Sequence, residues 1–308
     1  MAFSLLSVAD LDSKEFMGLI DSAKRMKTAM AGGRRTTDLK NMVIGILFEK
    51  PSTRTRTSFQ AAAIRMGGNP IYLSASELQL SRGEPVKDVA RMLGGWLDII
   101  VARVYSQDTL LELAEYSKLP VINALSDIEH PTQMISDFLT IIEAKNRIKD
   151  LKMAYIGDGN NMANSLMLSC ALTGMDLSIA SPNGYKPSDE YVKKAKRISA
   201  STGSDIRVVT KPAEAAKDTD ILYTDVWVSM GEEKEAAKRL RAFKGYQINR
   251  SLLKYAKSDA IVMHCLPAHR GLEITDDIIE GKQSVAWTQG INKMYGAAST
   301  LKFVAKRK

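Results

Sequence analysis

Cysteine, aromatic residues and long apolar runs are all scarce in this sequence. The only two cysteines, Cys170 and Cys265, exclude a disulfide framework and favour a reducing compartment. Aromatic residues make up 6% of the chain, too few for an evident platform on which nucleic-acid bases would stack. The absence of a run of about 18 apolar residues predicts no membrane span. The first residues lack the basic segment and the long apolar core of a secretory signal.

The charge balance is basic, since 43 Lys and Arg against 35 Asp and Glu give a net charge of +8. The basic residues are spread along the chain, which disfavours a nucleic-acid partner and suits the steering of an anionic small substrate. A hydrophobic share of 45% and a charged share of 25% are ordinary for a globular protein. At roughly 150 residues per domain, the 308 residues predict about two domains.

Short apolar runs alternate with amphipathic stretches of helical spacing along the whole chain. This alternation predicts crossover units and parallel sheets. The predicted strands of the first half are Met42–Phe48, Pro70–Leu73, Asp98–Arg103 and Val121–Leu125. After a long helical pattern, the predicted strands are Lys152–Ile156, Asp176–Ala180, Asp205–Val209, Ile221–Thr224, Ala260–Met263 and Ser284–Ala286.

The fold class that follows is α/β, with two doubly wound parallel-sheet domains joined by long helices. We expect the first domain to span residues 1–148 and the second residues 149–290. The helical pattern of Asn292–Val304 predicts a C-terminal helix, within 291–308, that returns to the first domain.

Ligands of open parallel sheets bind outside the carboxyl ends of the strands, and the unusual residues of this chain follow predicted strands. The segment Ser52–Thr57 holds four Ser or Thr and two Arg, between the first strand and a helix predicted over Ser58–Met66. A helix start attracts an anion through its unpaired N–H groups and its positive dipole end, and the hydroxyls of the segment add donors. Arg54 adds a forked cation that suits phosphate. The segment therefore predicts a phosphate site.

Polar side chains follow other predicted strands as well. Arg103 ends a strongly apolar strand, and His130 and Gln133 stand at the start of the long helix. Two later loops, Asp225–Gly231 and His264–Gly271, carry acidic, hydroxyl, thiol and imidazole groups. The strand-end rule predicts that these groups line ligand sites.

The sequence disfavours three common interpretations of these loops. Gly157-Asp158-Gly159 lacks the third glycine of a dinucleotide fingerprint, and the chain has no P-loop pattern. The His-Cys-x-x-x-His run from His264 to His269 has no second ligand cluster, which disfavours zinc. Cys265 has no evident base with an orienting group, which favours a thiol that contacts substrate over a nucleophile.

Four segments together resemble the ornithine carbamoyltransferases. Ser-Thr-Arg-Thr-Arg at 52–56 resembles the carbamoyl-phosphate loop of the transcarbamylases, and the residues at 130–133 resemble their His-Pro-x-Gln. The segment 225–231 resembles the Asp-x-Trp-x-Ser-Met-Gly of the ornithine enzymes, and 264–267 resembles their His-Cys-Leu-Pro. The related aspartate enzymes have a sequence like His-Pro-Leu-Pro there and lack Ser-Met-Gly. The matches run in order over nearly the whole chain.

The resemblance implies that carbamoyl phosphate and L-ornithine give L-citrulline and phosphate, without a metal or an organic cofactor. It implies that 1–148 with 291–308 is the carbamoyl-phosphate-binding domain and 149–290 the ornithine-binding domain. The implied carbamoyl-phosphate residues are Ser52, Thr53, Arg54, Thr55, Gln79, Arg103, His130, Gln133, Cys265, Leu266 and Lys293. Of these, the residues implied in catalysis are Thr55, Arg103, His130 and Cys265. The implied ornithine residues are Asn161, Asp225, Ser229 and Met230.

The resemblance also implies a homotrimer or an assembly of trimers, in which Gln79 reaches a neighbouring subunit's site. It implies a cytoplasmic enzyme without a nucleic-acid or membrane partner. A place in arginine biosynthesis is expected, and the direction of arginine breakdown stays open.

One segment departs from the family. Where the family usually has Glu-Asn-Arg-Leu-His, this chain has Ile-Asn-Lys-Met-Tyr at 291–295. Lys293 keeps the charge of the expected Arg and loses its planar fork. Two alternatives stay open. One is a transcarbamylase for another amine such as putrescine or acetylated ornithine. The other, which the departures around Lys293 and Tyr295 support, is a weakly catalytic relative that binds carbamoyl phosphate or a partner protein. Asp225 with Ser-Met-Gly favours free ornithine.

Overall fold

The computed structural model describes residues 2–229, 231 and 233–307. The chain divides into two compact units, Met1–Leu139 with Ile291–Lys308 and Thr140–Gly290. Each unit is built on its own parallel sheet. Within the described residues, no helix is both long and apolar enough to cross a membrane.

The first unit holds a four-stranded sheet with the strand order β2-β1-β3-β4. Its strands are β1 Val43–Phe48, β2 Asn69–Ser74, β3 Ile99–Arg103 and β4 Val121–Leu125. The helices around it are α1 Ser13–Ala31, α2 Thr53–Arg65, α3 Val86–Gly94 and α4 Gln107–Ser117. Short 3-10 helices span Val8–Asp10 and Gln79–Arg82.

The winding of this sheet reverses between β1 and β3. β1 pairs with β2 on one side and with β3 on the other, and Phe48 lies opposite Arg103 at their carboxyl ends. The loops that follow the two strands therefore lead away to opposite sides, which opens a crevice at the switch point. This topology brings Arg103 and the segment before α2 to the same edge of the sheet.

The second unit holds a five-stranded sheet with the order β7-β6-β5-β8-β9. Its strands are β5 Lys152–Ile156, β6 Asp176–Ala180, β7 Ile206–Val209, β8 Ile221–Thr224 and β9 Ile261–His264. Its helices are α6 Asn161–Thr173, α7 Asp189–Ser199, α8 Pro212–Ala216, α9 Ala236–Ala242, α10 Arg250–Leu253 and α11 Asp276–Ile279, with a 3-10 helix at Glu233–Glu235. The winding here reverses between β5 and β8, so the loops after these two strands face one crevice.

Two long helices carry the chain from one unit to the other. They are α5, Pro131–Lys145, and α12, Ala286–Ala305. The fold class predicted from the sequence, two parallel α/β sheets with long connecting helices, is confirmed. The predicted domain limits stay a prediction.

Two predicted elements need correction. Ser284–Ala286 is not a strand, because Ser284 makes only an isolated bridge with Val262 and α12 already begins at Ala286. The helix predicted over Ser58–Met66 begins five residues earlier, at Thr53. The hydroxyls and arginines that looked like a loop therefore form the first turn of α2.

Candidate active site

The amino end of α2 presents the hydroxyl-rich segment at the switch point of the first sheet. Ser52 is the N-cap, and its hydroxyl accepts a hydrogen bond of 3.3 Å from the Thr55 backbone N–H. Thr55 is buried and Arg54 is half-buried. Arg56, in contrast, stacks its guanidinium 3.5 Å from the centre of the Tyr72 ring. The two arginines of the motif therefore have different surroundings, and Arg54 is the one suited to a phosphate at the helix start.

Arg103 and His130 are buried polar residues in the first unit, with 7% and 4% of their surfaces exposed. Arg103 ends β3, and His130 directly precedes α5. The residue before His130, Glu129, is fully buried and accepts a hydrogen bond of 2.9 Å from the Val8 backbone N–H. Glu129 therefore ties the loop that carries His130 to the amino-terminal segment, a contact that sequence reasoning missed.

The imidazole of His130 is held neutral. Burial, and after it the positive charges of Lys293 and Arg103, lower the pKa of His130 well below the ordinary value of 6.5. A neutral imidazole carries one N–H donor and one acceptor nitrogen. Near neutral pH, His130 can therefore donate a hydrogen bond to a developing negative charge without carrying a charge itself.

Four of the predicted residues of the first unit line one small pocket. Its lining comprises Thr55, Ser58, Phe59, His130, Thr132, Gln133, Ser136 and Lys293. Thr55, His130, Gln133 and Lys293 were all singled out from the sequence, although they come from three separate segments of the chain. Gln79 is not among the lining residues, since it lies exposed on the 3-10 helix, where its side-chain oxygen accepts from Arg82 at 3.5 Å.

A chain of hydrogen bonds runs through this pocket wall. The ammonium of Lys293 donates to the side-chain oxygen of Gln133, and the amide nitrogen of Gln133 donates to the Asp137 carboxylate at 2.7 Å. Asp137 is fully buried, and sequence reasoning missed it. The one signal for it was the spacing, because Gln133 and Asp137 are four residues apart on a helix and so share a face.

The second unit gathers polar groups at the carboxyl ends of β5, β8 and β9. The Asp225 carboxylate accepts from the Cys265 thiol at 2.9 Å and from the Asn160 amide at 3.2 Å. Asn160 is also the N-cap of α6, where its oxygen accepts from the Met162 N–H at 3.0 Å. Asn161, the asparagine singled out from the sequence, is the first residue of α6 and is partly buried. Its neighbour Asn160 contacts Asp225.

His264 has both ring nitrogens engaged. Its Nε2 lies 3.1 Å from the Glu273 carboxylate, and its Nδ1 accepts from the Leu266 N–H at 2.9 Å. His264 thereby holds the backbone of Leu266, which has a left-handed φ of 59°. Among the described residues, the ligand-type atoms of Asp225, His264 and Cys265 lie within 4.8 Å of one another. Because these atoms already bond to protein groups, the arrangement suits hydrogen bonding to a substrate better than it suits a metal.

A buried ion pair holds the start of the loop after β8. Arg239 donates to the Asp158 carboxylate at 2.7 Å and to the Trp227 carbonyl at 3.2 Å. This pair joins the loops after β5 and β8, and sequence reasoning missed it. Ser229 is partly buried further along the same loop, and Met230 lies outside the described residues.

Gly159 has a packing role. A Cβ on Gly159 would lie 2.1 Å from the Pro187 nitrogen and 2.3 Å from the Lys186 carbonyl carbon. The close approach of this backbone therefore explains the glycine, and it agrees with the sequence argument against a dinucleotide fingerprint.

Comparisons with known proteins agree with this architecture. The family model of the aspartate/ornithine carbamoyltransferase carbamoyl-P binding domain matches residues 4–143, and that of the Asp/Orn binding domain matches residues 149–304. An ornithine carbamoyltransferase of Methanosarcina acetivorans is 48% identical over 295 residues, which are 96% of each chain. A catabolic ornithine carbamoyltransferase of Thermoplasma acidophilum is 47% identical over 297 residues, again 96% of each chain. The solved structure of the Pyrococcus furiosus ornithine carbamoyltransferase has a TM-score of 0.94 and 43% identity, over 97% of this chain and 96% of that one.

The first sheet carries, at its switch point, a helix start of the kind that binds phosphate. The second sheet carries a thiol–carboxylate pair at its own switch point. Together these features define a two-domain α/β carbamoyltransferase. The chain belongs to the aspartate/ornithine carbamoyltransferase family. The resemblance to the ornithine enzymes and the prediction of a carbamoyltransferase are confirmed.

Proposed function

We propose that this chain transfers the carbamoyl group of carbamoyl phosphate to the δ-amine of L-ornithine, giving L-citrulline and phosphate. The names of its relatives, at 47–48% identity over nearly the whole chain, support this substrate pair. The single observation that carries the transfer chemistry is the buried, neutral His130 that feels the charges of Arg103 and Lys293. A neutral donor beside two cations suits a reaction that builds negative charge on an oxygen.

The phosphate is assigned to the amino end of α2. Ser52, Thr53, Arg54 and Thr55 would hold it through hydroxyls, backbone N–H groups and one guanidinium. The capped helix start and the divergent surroundings of Arg54 and Arg56 support this assignment. Gln79, on an exposed 3-10 helix, is assigned to the phosphate of a neighbouring subunit.

The carbamoyl oxygen is assigned to Thr55, Arg103 and His130. As the δ-nitrogen attacks, the carbonyl becomes a tetrahedral oxyanion, and each preorganised donor lowers the barrier by about 2.7–4 kcal/mol in comparable sites. Gln133 and the backbone of Cys265 and Leu266 would orient the carbamoyl NH₂. Lys293 would add its charge from the same pocket wall.

The proposed reaction needs no covalent intermediate between substrate and enzyme. The lone pair of the neutral δ-amine forms the new C–N bond, and collapse of the tetrahedral intermediate breaks the C–O bond to phosphate. The nitrogen loses one proton, which the departing phosphate is basic enough to accept. The protein's task is to position and to stabilise charge, so no metal or organic cofactor is required.

Ornithine is assigned to Asn161, Asp225, Ser229 and Met230. Asp225 supports this assignment because its carboxylate is buried and already binds two side-chain donors, Cys265 and Asn160. An α-ammonium group is a charged donor and would bind such a carboxylate more strongly than a neutral thiol does. The loop at Ser229–Gly231 would close over ornithine and exclude water.

The assembly is proposed to be a homotrimer or a set of trimers. Trp96, after α3, is 65% exposed and Met92, on α3, is 51% exposed, and such large exposed apolar side chains favour a contact with another subunit. A cytoplasmic role in arginine biosynthesis is the corresponding proposal. Relatives named catabolic and anabolic both match at 43–47% identity, so the names of relatives favour neither direction.

The experiment that tests this function is the identification of the product that purified protein forms from carbamoyl phosphate. Citrulline formed from ornithine would support the proposal. Two alternatives make other predictions: turnover only with putrescine or N-acetylornithine, or binding of carbamoyl phosphate without turnover.

A further inference from the structure

Lys293, Gln133 and Asp137 form a buried line of one cation, one amide and one carboxylate. Their exposed fractions are 8%, 1% and 0%. Buried charges are costly unless hydrogen bonds or opposite charges compensate them. The carboxamide of Gln133 contacts both of these groups, because it accepts from Lys293 and donates to Asp137 at 2.7 Å.

The charges select one orientation of the amide. An ammonium only donates hydrogen bonds and an ionised carboxylate only accepts them. The oxygen of Gln133 must therefore face Lys293, and its nitrogen must face Asp137. With the reverse orientation, the NH₂ of the amide would meet the ammonium and its oxygen would meet the carboxylate.

The packing of two helices fixes the spacing of this line. A Cβ on Gly296 of α12 would lie 2.5 Å from the Ser136 hydroxyl and 3.2 Å from the Ser136 nitrogen of α5. Lys293 is one helical turn before Gly296, and Ser136 lies between Gln133 and Asp137 in sequence. The close approach of the helices thus sets the distance across which Lys293 reaches Gln133.

We infer that Asp137 is a positioning residue, which acts through Gln133 to present an amide oxygen, and not an amide NH₂, to the substrate's carbamoyl group. The inference rests on the proposed function, because it assigns the carbamoyl NH₂ to Gln133. The oxygen of Gln133 has a second lone pair beyond the one used by Lys293, so it can accept from that NH₂. Inverting the amide would place two NH₂ groups face to face.

The test measures the equilibrium binding of carbamoyl phosphate and of inorganic phosphate to the full chain. Inorganic phosphate lacks the carbamoyl group, so its affinity reports the phosphate site alone. In Asp137→Asn the side chain both accepts and donates, so it no longer selects the Gln133 nitrogen, and only Lys293 still favours the productive orientation. We expect carbamoyl phosphate to bind about fivefold more weakly, as for the loss of one hydrogen bond between neutral groups. We expect phosphate affinity to stay within about twofold.

A double-mutant cycle with Lys293→Met keeps the inference testable if the single variant Asp137→Asn unfolds. The double variant Asp137→Asn/Lys293→Met removes both charges of the line, so neither of the two is left without the other. Because Lys293 alone still favours the productive orientation, Asp137→Asn should cost more carbamoyl-phosphate affinity in the Lys293→Met background, where no charge selects the orientation, than in the unmodified chain. The control Asp98→Asn alters a carboxylate that accepts from the Val43 N–H at 2.8 Å, where β1 begins. It should change thermal stability and leave the ratio of the two affinities unchanged.

Three results would overturn the inference: unchanged carbamoyl-phosphate affinity in Asp137→Asn, an equal loss of phosphate affinity, or additive losses in the cycle. Failure of the proposed function is recognised separately, because it is the absence of citrulline formation by the unmodified chain. The binding measurement needs no ornithine and no turnover.

Discussion

The thiol of Cys265 donates a hydrogen bond of 2.9 Å to the Asp225 carboxylate. An ionised carboxylate can only accept, so the thiol keeps its proton and is a poor nucleophile in this arrangement. This geometry favours the proposed role of Cys265 as a group that contacts substrate. The finding agrees with the sequence argument, which found no base to activate this cysteine.

The first prediction concerns this pair. Cys265→Ser keeps an O–H donor toward Asp225, and we expect kcat to stay within about tenfold of the unmodified chain. Asp225→Asn removes the charge that is proposed to bind ornithine, and KM for ornithine should rise by about tenfold or more, as for loss of a hydrogen bond to a charged group. Steady-state kinetics with each substrate varied in turn measures both. Loss of all turnover in Cys265→Ser would instead point to a covalent role for the thiol.

A second prediction uses the two arginines of the α2 start as a matched pair. Arg54→Ala should lower kcat/KM for carbamoyl phosphate by about a hundredfold or more, comparable to the loss of one donor that stabilises a transition state. Arg56→Ala removes a guanidinium that stacks on Tyr72 and should lower kcat/KM by less than about tenfold. Phosphate release at varied carbamoyl phosphate measures the difference. Equal effects of the two changes would remove the phosphate site from Arg54.

The third prediction follows from the depressed pKa of His130. In the unfolded chain this imidazole binds a proton as pH falls through about 6.5, whereas in the folded chain it stays neutral until a markedly lower pH. The unfolded state therefore binds more protons below about pH 6.5, and the free energy of unfolding decreases as pH falls in that range. His130→Asn should remove about one proton from this dependence. Denaturant unfolding between pH 7.5 and 5 measures the slope for both proteins, and identical slopes would contradict a neutral His130.

The strands were predictable because parallel strands buried on both faces read as short apolar runs, and β1 and β3 are both of this kind. The error at Ser284–Ala286 has the same origin. A short apolar run can equally form the start of a buried helix, and α12 begins at Ala286. The hydroxyls of the α2 start were recognised, but their helical conformation was missed, because Ser and Thr favour loops and helix starts alike.

The individual site loops were predictable from the strand-end rule, since every one of them follows a predicted strand. Asp137 was not, because it lies inside α5 and its role depends on a lysine 156 positions later in the chain. The Arg239–Asp158 ion pair was missed for the same reason. Such contacts depend on tertiary proximity, which neither periodicity nor a motif encodes.

A fourth prediction concerns Gln79. If Gln79 completes a neighbour's site, Arg54→Ala and Gln79→Ala damage the same site from two different subunits. In trimers reassembled from equal amounts of both variants, about a quarter of the sites should have both Arg54 and Gln79 intact. The activity should then recover to about a quarter of that of the unmodified chain. Activity no higher than the mean of the two separate variants would place Gln79 outside the neighbouring site.

The most direct test of the proposed function measures phosphate release from carbamoyl phosphate with L-ornithine, L-aspartate, putrescine and N-acetylornithine in parallel, with identification of the product. We expect citrulline from L-ornithine and no product above background from the other three amines. That result would also establish that Lys293 supports turnover where the family usually has Arg. Turnover with another amine alone, or carbamoyl-phosphate binding without turnover in folded protein, would contradict the assignment.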